Sequence, residues 1–111
     1  MRKLIVPVLV AGLLVPAATP AFAARSISVG DNFFVRKSGV PTVSVSKGAK
    51  VTWKWTGNSL HNVTVTKGPV KFRSGSKTSG KFSKRLTKAG TYTIVCTVHG
   101  ADDQSMKLVV R

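Results

Sequence analysis

Glutamate is absent from this sequence. Aspartate occurs three times, twice side by side at Asp102 and Asp103, against 18 lysines and arginines. A chain so poor in negative charge is drawn to anionic surfaces or acidic protein partners. Nucleic acid is the usual partner of such a surface, but no basic helix and no known nucleic-acid motif accompanies the charge, so that partner is set aside. Cysteine occurs once, at Cys96, which excludes a disulfide within one chain. Beyond the first residues there is no long apolar run, so no membrane span is expected in the body of the chain.

The one apolar run is N-terminal. Arg2 and Lys3 precede Leu4 to Val15, and Ala21-Phe22-Ala23 follows with the small-x-small pattern of a signal-peptidase site. Residues 1–23 are expected to be a cleaved signal peptide, giving a protein exported to the periplasm or the extracellular space. A retained anchor is the competing reading, but the run is short for a span and Pro7 and Pro16 bracket it. Residues 24–111, 88 of the 111, then make one small domain. Leaving out Arg2 and Lys3 leaves 16 basic and 3 acidic residues, a net charge of +13. A core of this size is marginal unaided. An exported lone cysteine also needs a reason: pairing with another molecule, burial, or metal. Nothing in the sequence marks an oligomeric state.

From Arg25 onward the pattern is that of short strands. Alternating segments rich in Val, Thr and aromatics are separated by Gly, Lys, Ser and Asn. Strands are expected at Ser26–Val29, Thr42–Ser46, Lys50–Thr56, His61–Thr66, Lys81–Leu86, Thr91–Val98 and Met106–Arg111, with at most a short one at Val70–Phe72. Asp31-Asn32 reads as a bend, and Phe33 and Phe34 as core plugs. Period-two alternation puts Val51, Trp53 and Trp55 on one face, and Tyr92, Ile94, Cys96 and Val98 on another. About seven such strands indicate an antiparallel β-sandwich. An immunoglobulin-type sandwich lacks its Cys–Trp–Cys pattern here, because Cys96 stands alone.

Cys96 and the only two histidines, His61 and His99, are the residues with metal chemistry. Taken singly, Cys96 reads as a small buried hydrophobe, His61 as a satisfied loop-edge histidine and His99 as an exposed turn residue. Together, at strand ends and in the order His, Cys, His, they read as ligands. One soft thiolate and two imidazoles suit a trigonal copper site with a weak axial donor. Zinc would want a fourth strong ligand, for which only Asp102 and Asp103 are at hand. His99 lies an odd number of residues beyond Cys96, so the chain must turn at Val98-His99-Gly100 to bring it back.

These residues carry a resemblance. Cys96-x-x-His99 at a strand end, the Gly90-Thr91-Tyr92 approach, the set Phe82, Leu86, Gly90 and Tyr92, and a distant His61-Asn62 are similar to the small blue-copper proteins, the cupredoxins of the plastocyanin and pseudoazurin kind. The resemblance implies a Greek-key β-sandwich, one copper per chain cycling between Cu(II) and Cu(I), and Asn62 bracing the ligand loop against Thr97. It also implies that electrons pass at the edge of His99, with apolar residues such as Leu60 nearby for docking. The sequence departs from the family at the axial position. Plastocyanin-like members carry Met five residues after the second His, where this chain has Gln104. Gln serves in that role in some blue-copper sites. A longer Gly100–Ser105 loop would deliver Met106 instead, and both residues have the same strand parity.

The expected function is single-electron transfer with an acidic redox protein, steered by the cationic surface. The alternative is a copper carrier or buffer without an electron-transfer role. A cationic wall- or polysaccharide-binding domain has only the charge in its favour. An enzyme is not expected. A Cys pointing into a core and a His three residues on lack the geometry of a nucleophile–base pair with a third orienting group.

Overall fold

The computed structural model describes residues 23–111, so the expected signal peptide lies almost wholly outside the described residues. Eight strands follow in order: β1 (Ala24–Gly30), β2 (Phe33–Phe34), β3 (Thr42–Val45), β4 (Lys50–Trp55), β5 (Thr64–Lys67), β6 (Lys81–Arg85), β7 (Gly90–Val95) and β8 (Ser105–Val110). They form two four-stranded sheets, β2-β1-β4-β6 and β3-β8-β7-β5, packed as a sandwich. No helix long and apolar enough to cross a membrane occurs among the described residues.

The all-β sandwich agrees with the sequence reading, but two features correct it. There is one strand more than expected, because Phe33 and Phe34 pair with the end of β1 instead of standing as isolated plugs. The sheets are mixed, not antiparallel: β1 runs parallel to β4, and β3 parallel to β8. Turn signals disclose antiparallel neighbours joined by short loops. A parallel pair needs a crossover, and here each crossover passes through the opposite sheet, which no local signal reports.

The inner faces follow the period-two pattern. Ile27 and Val29 on β1 and Val51, Trp53 and Trp55 on β4 are buried against Tyr92 and Ile94 on β7 and Met106, Leu108 and Val110 on β8. Fully burying side chains of this size stabilises by about 1.5–3 kcal/mol each. Outward positions of the first sheet are basic or hydroxylated: Lys50 lies opposite Arg85, Thr52 opposite Ser83 and Lys54 opposite Lys81.

The segment after β5 holds no strand at Val70–Phe72. It closes one side of the sandwich through isolated bridges, His61 to Lys77 and Thr64 to Arg73. Phe72 is carried inward to within 6.0 Å of the Trp53 ring and 6.1 Å of Phe82. The expected strand at His61–Thr66 therefore begins only at Thr64, and the backbone of His61 is paired outside it by an isolated bridge to Lys77. β7 likewise ends at Val95, three residues short of expectation, and Val98 is 45% exposed. The turn that returns His99 to the core takes Val98 off the inner face.

Candidate metal centre

The site is built on the last rung of the β7–β8 hairpin. Ile94 lies opposite Met106 and Val95 opposite Ser105. One step further, the Cys96 N–H donates to the Gln104 carbonyl at 3.0 Å. Alternation then puts Cys96 and Gln104 on the inner face above Ile94 and Met106. The connecting loop is short. Gly100 N–H donates to the Cys96 carbonyl at 2.8 Å, and Gln104 N–H to the Gly100 carbonyl at 3.0 Å. Gly100 has a φ of 87°, a backbone conformation that glycine adopts without steric cost, and this turn folds His99 back beside Cys96.

His61 comes from the chain before β5. Its N–H donates to the Lys77 carbonyl and its carbonyl accepts from Lys77 N–H, both at 3.0 Å. Asn62 ties this segment to the Cys96 loop. Its Nδ2 donates to Thr97 Oγ1 at 2.8 Å, and its Oδ1 accepts from Thr97 N–H at 3.0 Å and from Thr64 Oγ1 at 2.9 Å. His61, Asn62 and Gln104 are the buried polar side chains among the described residues, and all three belong to this end of the sandwich.

The structure brings the three expected ligands together. Ligand atoms of His61, Cys96 and His99 all lie within 4.8 Å of one another. Cys96 Sγ is 4.0 Å from His61 Nδ1 and 3.5 Å from His99 Nδ1. A first-row divalent ion bonds sulfur at about 2.3 Å and imidazole nitrogen at about 2.05 Å, which at a trigonal angle separates the two donors by about 3.8 Å. The cluster is thus preformed at metal-binding spacing. Cys96 is a buried free thiol. His61 is buried, while His99 is half-buried, with exposed Leu60 and Val98 each adjoining a histidine in sequence.

Gln104 adds a fourth converging atom. Its Nε2 donates to the carbonyls of Gly30 at 3.2 Å and Phe33 at 3.0 Å, leaving Oε1 at 2.9 Å from His61 Nδ1. Flipping the amide would set Oε1 against two carbonyl oxygens, so the network fixes its orientation. Nδ1 of both histidines and the Cys96 sulfur converge, and Oε1 of Gln104 lies against His61 Nδ1, a donor set that fits a soft-to-borderline cation. Met106 is fully buried opposite Ile94 in the apolar core, two residues further along β8 and so about 7 Å deeper. Asp102 and Asp103 are exposed and outside the cluster, so zinc gains no fourth strong ligand from them.

Asp31, in sequence only part of the expected bend, is a further residue of the site. Its Oδ1 accepts from His61 Nε2 at 2.6 Å and from Ser59 N–H at 3.1 Å, and its Oδ2 from Asn58 N–H at 2.8 Å. The hydrogen bond from the Asn58 backbone, then those from His61 and Ser59, hold the Asp31 pKa at about 2. The only sequence signal for it is the scarcity of carboxylates, since its partners lie about thirty residues away.

A family profile described as copper binding proteins of the plastocyanin/azurin family matches residues 26–111. No curated protein sequence matches the chain. Among solved structures, the Cu(I) form of a methionine-to-glutamine mutant of amicyanin superposes with a TM-score of 0.66 at 26% identity, covering 80% of this chain and 83% of that one. The Cu(I) form of a methionine-to-alanine mutant of amicyanin gives 0.66 at 26% identity over 83% and 86%. A purple cupredoxin from Nitrosopumilus maritimus shares the fold, with a TM-score of 0.63 at 17% identity over 78% and 98%.

Proposed function

The chain belongs to the plastocyanin/azurin family of copper-binding proteins, and from that premise we propose that it carries single electrons between redox partners outside the cytoplasm. The observation that carries the reading is the convergence of His61 Nδ1, Cys96 Sγ and His99 Nδ1, with Gln104 Oε1 2.9 Å from His61 Nδ1. His61, Cys96 and His99 would hold copper, with Gln104 as a weak fourth donor in preference to Met106, which packs in the core. Bound there, copper supplies a one-electron couple between Cu(II) and Cu(I).

The protein's own part is to keep the donors still. Cys96 is fixed by its hydrogen bond across the hairpin, His61 by its bridge to Lys77, and the two segments are tied to each other by Asn62 and Thr97. Donors already gathered need little rearrangement when the charge at their centre changes, which favours electron transfer over copper delivery. Half-buried His99, with exposed Val98 next to it in sequence and exposed Leu60 next to His61, would offer an outlet to a partner docked at this end. The basic outer face of β4 and β6 would speed encounter with an acidic redox protein.

Voltammetry of the copper-loaded protein, with copper transfer to a chelating acceptor followed in parallel, tests this reading. Reversible one-electron cycling with copper retained is expected. Copper surrendered to the acceptor without reversible cycling would establish the copper-carrier reading instead. With an acidic partner, the association rate should fall steeply as salt rises. A rate unchanged between low and physiological salt would remove the role given to the basic face.

A further inference from the structure

Asp31 stands at the turn between β1 and β2, far in sequence from every proposed ligand, yet its carboxylate contacts the remote nitrogen of one of them. We propose that Asp31 is a positioning residue for His61: it fixes the imidazole so that Nδ1 faces the metal, and it biases the site toward the more highly charged Cu(II). This rests on the copper reading above.

The chemistry of the contact is specific. An ionised carboxylate can only accept, so the 2.6 Å approach of His61 Nε2 to Asp31 Oδ1 requires the hydrogen to sit on Nε2. Nδ1 is then the nitrogen turned toward Cys96 Sγ and Gln104 Oε1, and its lone pair is the one a metal could take. A metal-ligating histidine commonly gives its other N–H to a carboxylate or a carbonyl, which orients the ring and raises its basicity. A carbonyl would orient the ring alone. A carboxylate also puts a negative charge one imidazole away from the metal, and Cu(II) gains more from that charge than Cu(I).

The surroundings show that Asp31 is held for this contact. Backbone N–H groups of Asn58 and Ser59 grip both carboxylate oxygens, so the side chain cannot swing away into solvent. Gly57 makes the room: a Cβ there would lie 2.3 Å from Asp31 Oδ1. The segment leading into His61 is therefore shaped around the carboxylate. The nearby cation Lys77 is engaged elsewhere, its Nζ donating to the Lys81 carbonyl and lying 5.2 Å from the Trp55 ring centre.

Three variants test the assignment. Asp31→Asn removes the charge and keeps an acceptor, Asp31→Ala removes both, and Gly57→Ala displaces the carboxylate while leaving it in the chain. Cu(II) and Cu(I) affinities are measured by chelator competition, and potentials by voltammetry. The His61 tautomer is read by nitrogen-15 NMR on the zinc-loaded protein, which needs neither colour nor electron transfer. In Asp31→Ala, Cu(II) affinity should fall roughly 10–100-fold and Cu(I) affinity by less. Each tenfold of that difference should raise the potential by about 59 mV. Asp31→Asn and Gly57→Ala should shift the potential in the same direction by less, and these two carry the test if Asp31→Ala fails to fold.

Equal losses of Cu(I) and Cu(II) affinity with an unmoved potential would overturn the proposal and leave Asp31 a tether of the fold. So would a zinc-loaded wild type whose His61 carries its hydrogen on Nδ1, or no slowly exchanging Nε2–H. Failure of the copper reading itself looks different: the wild type would lack a coloured one-to-one copper complex, while the zinc-loaded protein would still report the His61 tautomer.

Discussion

The space between the two sheets holds two unlike regions. Along most of the sandwich it is apolar, with Val51 and Trp53 from one sheet facing Ile94 and Leu108 from the other, all with no exposed surface. At one end it turns polar, and His61, Asn62 and Gln104 are buried within a step or two of that apolar packing. The first region is held by area removed from water, which is tolerant of detail. The second is held by directed hydrogen bonds among residues up to 74 positions apart, and each of them matters to where a donor atom points. The same hairpin serves both: Ile94 and Met106 close the apolar part, and Cys96 and Gln104, two residues on, open the polar one.

If the division is real, substitutions on either side should separate stability from colour and potential. The largest effect is expected from Cys96→Ser. With free copper a thousandfold above Kd, metal binding stabilises the native state by about 4 kcal/mol. The variant should lose most of that gain and all of its charge-transfer colour, as followed by melting with and without copper. Leu108→Ala should cost about 2–5 kcal/mol in urea unfolding and leave the visible spectrum in place. A shifted spectrum in that variant would break the distinction.

Asn62 sits on the boundary. Asn62→Ala strands the Thr97 N–H and the Thr64 hydroxyl, an expected cost of about 1–3 kcal/mol, and it should also perturb the spectrum because the Cys96 loop loses its brace. The smallest stability effects are expected where the two regions meet on β8. Met106→Leu keeps its volume and should cost about 1 kcal/mol or less, with the potential unmoved. Gln104→Met, two residues away, should raise the potential, because thioether sulfur favours Cu(I) more than a carbonyl oxygen does. A potential that responds to Met106→Leu and ignores Gln104→Met would make Met106 the axial residue.

The two regions were also unequally readable from sequence. The apolar part follows from alternation alone, and Val51, Trp53, Trp55, Tyr92, Ile94 and Leu108 are buried as that pattern requires. Parallel pairing of β1 with β4 and β3 with β8 was hidden, because it depends on crossovers between sheets and not on local turns. At the polar end, His61, Cys96 and His99 stood out through rarity and order. The end of β7 did not: continued alternation would bury Val98, but the turn needed to return His99 exposes it. Asp31 was unreadable for a different reason, since its role lies entirely in contacts with Asn58, Ser59 and His61 across the fold.

One copper ion would be held at the polar end through Cys96 and the two histidines. Titration of the metal-free protein with Cu(II), followed by visible absorption and EPR, tests this most directly. An intense thiolate-to-copper band that saturates at one equivalent, and is absent in Cys96→Ser, is the expected result. A wild-type protein that stays colourless through the titration, taking up Cu(II) only weakly and without a defined stoichiometry, would contradict it.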